Sequence, residues 1–199
     1  MDAKRKWHSL RLHLIRSPRD RAEYLKRHHV FKEIGEHCIF VPRHVPLYPN
    51  LIKLGDYVDV SSDVFFFTHD GVHTVLGANN EILPDNLKQY DFNESIGCIE
   101  IGNHVCICAN VLIGYNVKIG DNVVIAAGSV ITNDIPSNSV VRGNPAKVIC
   151  SLTQYLSMRA AKATYPSNLD HEMGMYVGNE LEKWLWDDFY KSREKVSSK

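Results

Sequence analysis

Three histidines carry the first chemical possibilities. His69 and His73 lie four residues apart around Asp70 and Gly71, and His104 follows at a distance. A neutral imidazole suits proton abstraction, because its unperturbed pKa of about 6.5 sits close to working pH. His69 is the preferred general base. His73 is the runner-up, and Asp70 either orients an imidazole or caps its loop. Zinc is the rival chemistry, but His69, His73 and His104 lack the usual ligand spacing. Cys106 and Cys108 share an outward face if Ile107 points inward, yet two thiolates need two further ligands and the sequence offers none. These cysteines are expected to be structural, and no metal is expected.

The elements that must hold these residues follow from a period of six. Ile101, Ile107, Ile113, Ile119, Ile125 and Ile131 recur at that spacing, with Val105, Val111, Val117, Val123, Ser129 and Ile135 four residues behind. Helices repeat every 3.6 residues and strands every 2, so six fits neither alone. It fits short strands joined by corners and wound into a prism, an all-β solenoid whose columns stack into a dry interior. Three residues after each Ile stand His104, Asn110, Asn116, Asn122, Gly128 and Asp134, types that tolerate the positive φ of a tight corner. Gly102, Gly114 and Gly120 let neighbouring walls pass closely.

An upstream tract reads Tyr48, Leu54, Val60 and Phe66, with Ile34 and Phe40 before it and a two-residue slip between Phe40 and Tyr48. His69, three residues after Phe66, then falls at a corner that turns its side chain outward. The repeat lapses after Phe66, so about 67–94 reads as a long excursion loop, and such loops usually carry function. Ser17-Pro18 starts a helix running through Arg27. Ser151 to Gln154 forms a capping box for a short helix ending before Pro166, and Asn179 caps another through Leu181, Trp184 and Leu185. The chain therefore divides into a basic helical segment at 1–33, the solenoid at 34–150 and a helical segment at 151–199.

The 199 residues suffice for a sizeable core, with 44% hydrophobic and 23% charged side chains. No apolar run is long enough to span a membrane, and no secretory signal follows the basic start. Five cysteines, an odd number, argue against a disulfide framework and for reduced thiols in a cytoplasm. Net charge is zero, yet residues 1–32 hold ten Lys and Arg against three Asp and Glu. That basic head is a solvated helix or a contact for an anionic membrane surface or acidic partner. Nucleic acid is not expected as a partner.

The run from Ile119 through Thr132, with Asp134-Ile135-Pro136 and the Gly143-Asn144-Pro145-Ala146-Lys147 ending, resembles the hexapeptide-repeat acyltransferases. Within them it is most similar to the xenobiotic, galactoside and maltose acetyltransferase branch, and Thr68-His69-Asp70-Gly71 is most like the loop of surface-polysaccharide O-acetyltransferases. The resemblance covers roughly residues 34–150. It implies a left-handed parallel β-helix, a homotrimer, and acetyl-CoA bound in a groove between neighbouring prisms. It also implies direct transfer to a carbohydrate hydroxyl with His69 as base. Its donor contacts map onto Ala109, Ala127, Thr132, Asn133 and Lys147, with Arg142 beside Lys147 to meet phosphates. Cys108 stands where the family commonly has Gly, Ala109 where it has a more polar residue, and Asn133 where Lys is common.

Acceptor candidates are His73, Asp70, Tyr48 and Asn50, with the aromatic Phe67, Tyr90 and Trp186 behind them. The acceptor is expected in a capsule, an O-antigen or another surface glycan. A nucleotide sugar, a small saccharide or an antibiotic hydroxyl is the alternative within the same chemistry. The rival classes are a zinc carbonic anhydrase on the same scaffold and a non-catalytic repeat that binds through its basic head or aromatic tail.

Overall fold

A branched aliphatic side chain at every sixth position is buried in this chain by turning a corner each time. The computed structural model describes residues 3–78, 83–161, 165, 166, 169 and 177–197, and it has three walls built in this way. Wall one holds β1 (Glu33–Ile34), β3 (Ile52–Leu54), β6 (Ile99–Ile101) and β9 (Val117–Ile119), all parallel. Wall two stacks β2 (Ile39–Phe40), β4 (Asp59–Val60), β7 (Val105–Ile107), β10 (Val123–Ile125) and β12 (Ser139–Gly143) in parallel. It ends in β13 (Ala146–Ser151), which is antiparallel to β12. Wall three holds β5 (Phe65–Phe66), β8 (Leu112–Ile113) and β11 (Val130–Ile131).

Pairing register gives the length of each coil. Ile101 pairs with Ile119, Ile107 with Ile125 and Ile113 with Ile131, so the regular coil advances 18 residues, or three hexads. Lower down, Ile34 pairs with Leu54 and Phe40 with Val60, an advance of 20 that contains the expected two-residue slip. At the top Ile125 pairs with Val141, an advance of 16. Leu54 pairs with Ile101, 47 residues on, and the surplus is the excursion after β5.

Both repeat columns are buried, each Ile from 101 to 131 being at most 2% exposed. Every such side chain removed from water contributes roughly 1.5–3 kcal/mol. Ser129 is the polar member, and its hydroxyl is satisfied: it donates to Ala126 O at 2.6 Å and accepts from Gly143 N–H at 3.2 Å. His104, Asn110, Asn116, Asn122 and Gly128 have the left-handed φ expected of corners, +55° to +70°. Asp134 does not. The shortened top coil moves the left-handed position to Asn138, and the Asp134 carboxylate accepts the Lys118 N–H instead, at 2.8 Å. Tyr48 also departs from the repeat: it is a half-buried left-handed residue, φ +49°, before a 3-10 turn at Pro49–Leu51.

Between walls one and two the corner carries a ladder. Asn103 Oδ1 accepts from Asp56 N–H at 2.8 Å, Asp121 Oδ1 from Asn103 N–H at 2.6 Å, and Ser137 Oγ from Asp121 N–H at 2.9 Å. Each coil thus caps a corner amide of the coil before it. The preceding Gly102 is required by closeness, since a Cβ there would stand 2.9 Å from Gly120 C and 3.0 Å from Asp121 N.

Helices cover the first coil. The basic N-terminal segment contains α1 (Ala3–Leu14) and α2 (Pro18–Arg27), and the Ser17 hydroxyl accepts the Asp20 N–H at 3.3 Å. Leu12, Ala22, Tyr24 and Leu25 join the same core as Ile34 and Phe40. The excursion holds α3 (Val72–Ala78). Met1–Tyr155 forms one compact unit and Leu156–Lys199 a second. α4 (Leu152–Ala161) starts with the expected box, Ser151 N–H donating to Gln154 Oε1 and Gln154 N–H to Ser151 Oγ, at 3.0 and 3.2 Å. In α5 (Asn179–Ser197), Trp186, Phe189 and Tyr190 cluster, and the Arg193 guanidinium lies 3.3 Å above the Phe189 ring. No helix among the described residues is long and apolar enough to cross a membrane.

Candidate active site

His69 leaves wall three where the excursion begins, but not through a left-handed corner. It pairs with Ile96 in an isolated antiparallel bridge, so the two ends of the excursion are fastened together. Gly97 N–H donates to Thr68 O at 2.9 Å and Asp70 N–H to Ser95 O at 3.0 Å. Thr68 is fully buried and its hydroxyl donates to Leu47 O at 2.6 Å, which ties the excursion to the first coil. The outward direction expected of His69 is thus supplied by a strand-like bridge.

The Tyr48 ring meets the His69 imidazole edge to face, centroids 5.4 Å apart at 77°. Tyr48 is itself fixed, its hydroxyl donating to Glu94 Oε2 at 2.9 Å, and that bond raises its pKa above the ordinary phenol value. The Nδ1 atoms of His69 and His73 are both buried without a hydrogen-bond partner, and His73 lies on α3. Asp70 is engaged elsewhere. Its Oδ2 accepts the Tyr115 hydroxyl at 2.7 Å and its Oδ1 accepts the Val72 N–H at 3.1 Å. The Tyr115 bond, then the Val72 bond, hold the Asp70 carboxyl below the usual range, and Asp70 in turn raises the Tyr115 phenol.

Beside His69 opens a cavity of about 570 Å³, within the range of small-molecule sites. Phe65, Phe66 and Phe67 line it together with His44 and Val45, while Arg5, Lys6 and Ser9 reach it from α1. His44 stacks on Phe65 at 4.9 Å, and burial lowers its pKa below the ordinary imidazole value. The 3-10 turn that carries Asn50, which is exposed, borders a neighbouring cavity of about 350 Å³ with Tyr48. Phe67 stands in the first cavity wall, whereas Tyr90 lies exposed in the excursion and Trp186 belongs to the second compact unit.

The residues matched to donor binding are divided by wall three: Ala109 and Ala127 precede it, whereas Thr132 and Asn133 follow it on the edge that His69 shares. Ala109 and Ala127 occupy equivalent places in successive coils, where Gly128 N–H donates to Ala109 O at 3.0 Å. Thr132 and Asn133 are exposed after β11, and Asn133 Nδ2 donates to Thr132 Oγ1 at 3.0 Å. Arg142 and Lys147 face each other across the β12–β13 hairpin, so both side chains leave on one side. Neither forms an ion pair among the described residues. Small side chains along an edge and two free cations at its end fit a pantetheine arm and its phosphates.

Cys106 and Cys108 lie on β7 and just after it; burial, with Cys108 close by, pushes the Cys106 thiol up to about 11. His104 stands on another corner, stacked on Tyr57 at 4.8 Å, away from the excursion that carries His69 and His73.

Tyr115, Glu94, Arg5, Lys6 and His44 escaped the sequence reading. One signal was available for Tyr115. Second after each repeat Ile stand Asn103, Ala109, Tyr115, Asp121, Ala127 and Asn133, and Tyr115 alone is large.

Comparison with known proteins fits this architecture. The family described as bacterial transferase hexapeptide (six repeats) matches residues 98–133. Protein CapG of Staphylococcus aureus is 34% identical over 155 residues, 76% of this chain and 84% of CapG. WcaF of Escherichia coli (strain K12), whose name assigns it to colanic acid biosynthesis, is 32% identical over 124 residues, 59% of this chain and 68% of WcaF. The crystal structure of a maltose O-acetyltransferase from Clostridium difficile 630 superposes with a TM-score of 0.52 at 26% identity, covering 74% of this chain and 85% of that one. By this homology the three-walled coil is a left-handed β-helix. The chain belongs to the hexapeptide-repeat acetyltransferases, in the branch of the galactoside and maltose O-acetyltransferases.

Proposed function

We propose that this acetyltransferase, which draws its acetyl group from acetyl-CoA, O-acetylates a hydroxyl of a surface polysaccharide with His69 as general base. The observation that carries the reading is the placement of His69: an imidazole held edge to face against Tyr48 at the edge of a sugar-sized cavity. His69 takes the proton of the acceptor hydroxyl as its oxygen bonds the acetyl carbonyl carbon. It returns that proton to the departing sulfur as the carbon–sulfur bond breaks, giving an acetyl ester and free CoA thiol. Tyr48 positions the ring, and Asp70 with Tyr115 holds the strap that carries it. Ala109, Ala127, Thr132 and Asn133 would border the pantetheine arm, and Arg142 with Lys147 would meet the phosphates.

Assembly belongs to the same proposal. Ala109 and Ala127, the donor edge, precede wall three in the chain, whereas His69, Thr132 and Asn133 follow it, so the two alanines and the imidazole flank that wall on different sides. A homotrimer that sets one copy's His69 edge against the next copy's donor edge would bring them together. The match to WcaF supports a polysaccharide acceptor.

The test mixes protein and acetyl-CoA with capsule and lipopolysaccharide fragments and follows thiol release. Transfer to one fragment class is expected, and His69→Ala should lower its rate roughly 10²–10⁴-fold with the fold intact. An alanine variant as fast as the parent overturns the assignment, and a monomer in sedimentation overturns the trimer.

A further inference from the structure

We propose that the acceptor is an anionic sugar, bearing a carboxylate or a phosphate, and that Arg5 and Lys6 of α1 select it in the cavity that opens at His69. This rests on the function proposed for His69 and adds the chemical class of the substrate.

The cavity has two distinct kinds of wall. Phe65 and Phe67, 41% and 47% exposed, offer flat apolar surface to the C–H face of a sugar ring. On the α1 side stand Arg5 and Lys6, and among the described residues no carboxylate lines the cavity. Arg5 is half-buried, its Nε is buried without a partner, and its Nη1 has a single long bond, 3.4 Å, to Val45 O. A guanidinium nitrogen withdrawn from water without an acceptor is unfavourable, and an anion beside the group offsets that cost. Its mount is firm, because Ser9 Oγ one turn later accepts the Val45 N–H at 3.0 Å.

The neighbouring cavity shares Arg5, Val45 and Leu47 and adds Lys4, His28 and His29, again with no carboxylate along it among the described residues. Glu94, the carboxylate that does reach this end, is bonded to the Tyr48 hydroxyl. Wall one shows what this fold does where no ligand is expected. There Glu33, Lys53, Glu100 and Lys118 alternate in sign, with Lys53–Glu33 at 3.6 Å and Lys118–Glu100 at 2.8 Å. The positive charge beside His69 lacks that pairing among the described residues, and it would gain nothing from a neutral sugar.

Binding and transfer are measured separately. Calorimetric titrations use an oligogalacturonate, galactose 1-phosphate and a neutral galactan fragment, and thiol release is followed with the same three probes. Both are repeated with Arg5→Gln, Lys6→Gln and rising salt. An anionic probe should bind and accept acetyl in preference to the neutral one, with each variant weakening its affinity roughly five- to tenfold. Salt should weaken it too, and the two charged arms tell carboxylate from phosphate. Lys6 is exposed, so Lys6→Gln tests the charge without disturbing packing, and circular dichroism controls the fold of Arg5→Gln. Equal affinity for charged and neutral probes, or a preference that both variants retain, overturns the proposal. Loss of anionic binding in the variants together with thiol release that His69→Ala leaves unchanged upholds the cavity and rejects the role of His69 instead. Retained preference with lost binding to phosphatidylserine vesicles assigns the cations to a membrane surface and also overturns it.

Discussion

Replacing Arg21 by Met tests whether the first coil is closed by a single guanidinium. Arg21 is 2% exposed. Its Nε donates to Phe40 O at 2.9 Å and its Nη2 to Val41 O at 3.1 Å, while Nη1 donates to Ile15 O and Arg16 O at 2.8 and 3.0 Å. β2 is the outermost strand of wall two, so its outer carbonyls have no strand to pair with. The other two carbonyls follow the C-terminus of α1, where a cation is favoured. Met keeps the apolar stem but frees four acceptors. At about 1.5 kcal/mol for each bond to a charged donor the gross loss is about 6 kcal/mol, and removing a charge buried without a carboxylate offsets part of it. The net destabilisation expected is about 2–4 kcal/mol. For a chain of this size that lowers Tm by about 6–12 °C. Thermal melts followed by circular dichroism measure it, with Arg21→Lys as control, since one ammonium cannot reach all four carbonyls and should fall almost as far. A Met variant that melts within about 2 °C of the parent refutes the clamp.

Two further outcomes follow from the geometry. Tyr115→Phe removes the first cause of the lowered Asp70 pKa, so that carboxyl should rise toward about 3.9. A carboxyl depressed in the fold contributes stability above its unfolded pKa and loses it as pH falls through the folded one. The Val72 amide's protection, taken relative to its intrinsic exchange rate, should therefore fall below about pH 4 in the parent, and in the variant, which loses the Tyr115 tether, protection should be lower already at neutral pH. Unchanged Val72 protection in the variant would show that the strap is held by other bonds. Gly102→Ala drives a Cβ against Gly120 and Asp121 backbone and should destabilise by about 1–3 kcal/mol, read from urea midpoints. A neutral result there would show that the coils can separate.

The period of six, the corner residues from His104 to Gly128 and the slip after Phe40 were legible because each coil solves the same local problem with the same residue types. Ser17 and Ser151 were legible for a similar reason, since a cap bonds within three residues. Asp134 misled because the top coil is two residues short, and only pairing across coils sets that register. The bridge at His69 was hidden too, because its partner Ile96 lies beyond the excursion.

The sequence by itself determined the prism, its dry columns and the place where the chain leaves it. Tertiary structure alone decided what surrounds His69. Tyr48, Glu94, Tyr115 and Arg5 come from separate segments of the chain, and no local spacing relates them. They meet because Arg21 seats α1 on the open edge of the first coil and because Thr68 and Gly97 close the excursion. Those bonds involve backbone groups that any residue possesses, so residue types give no sign of them.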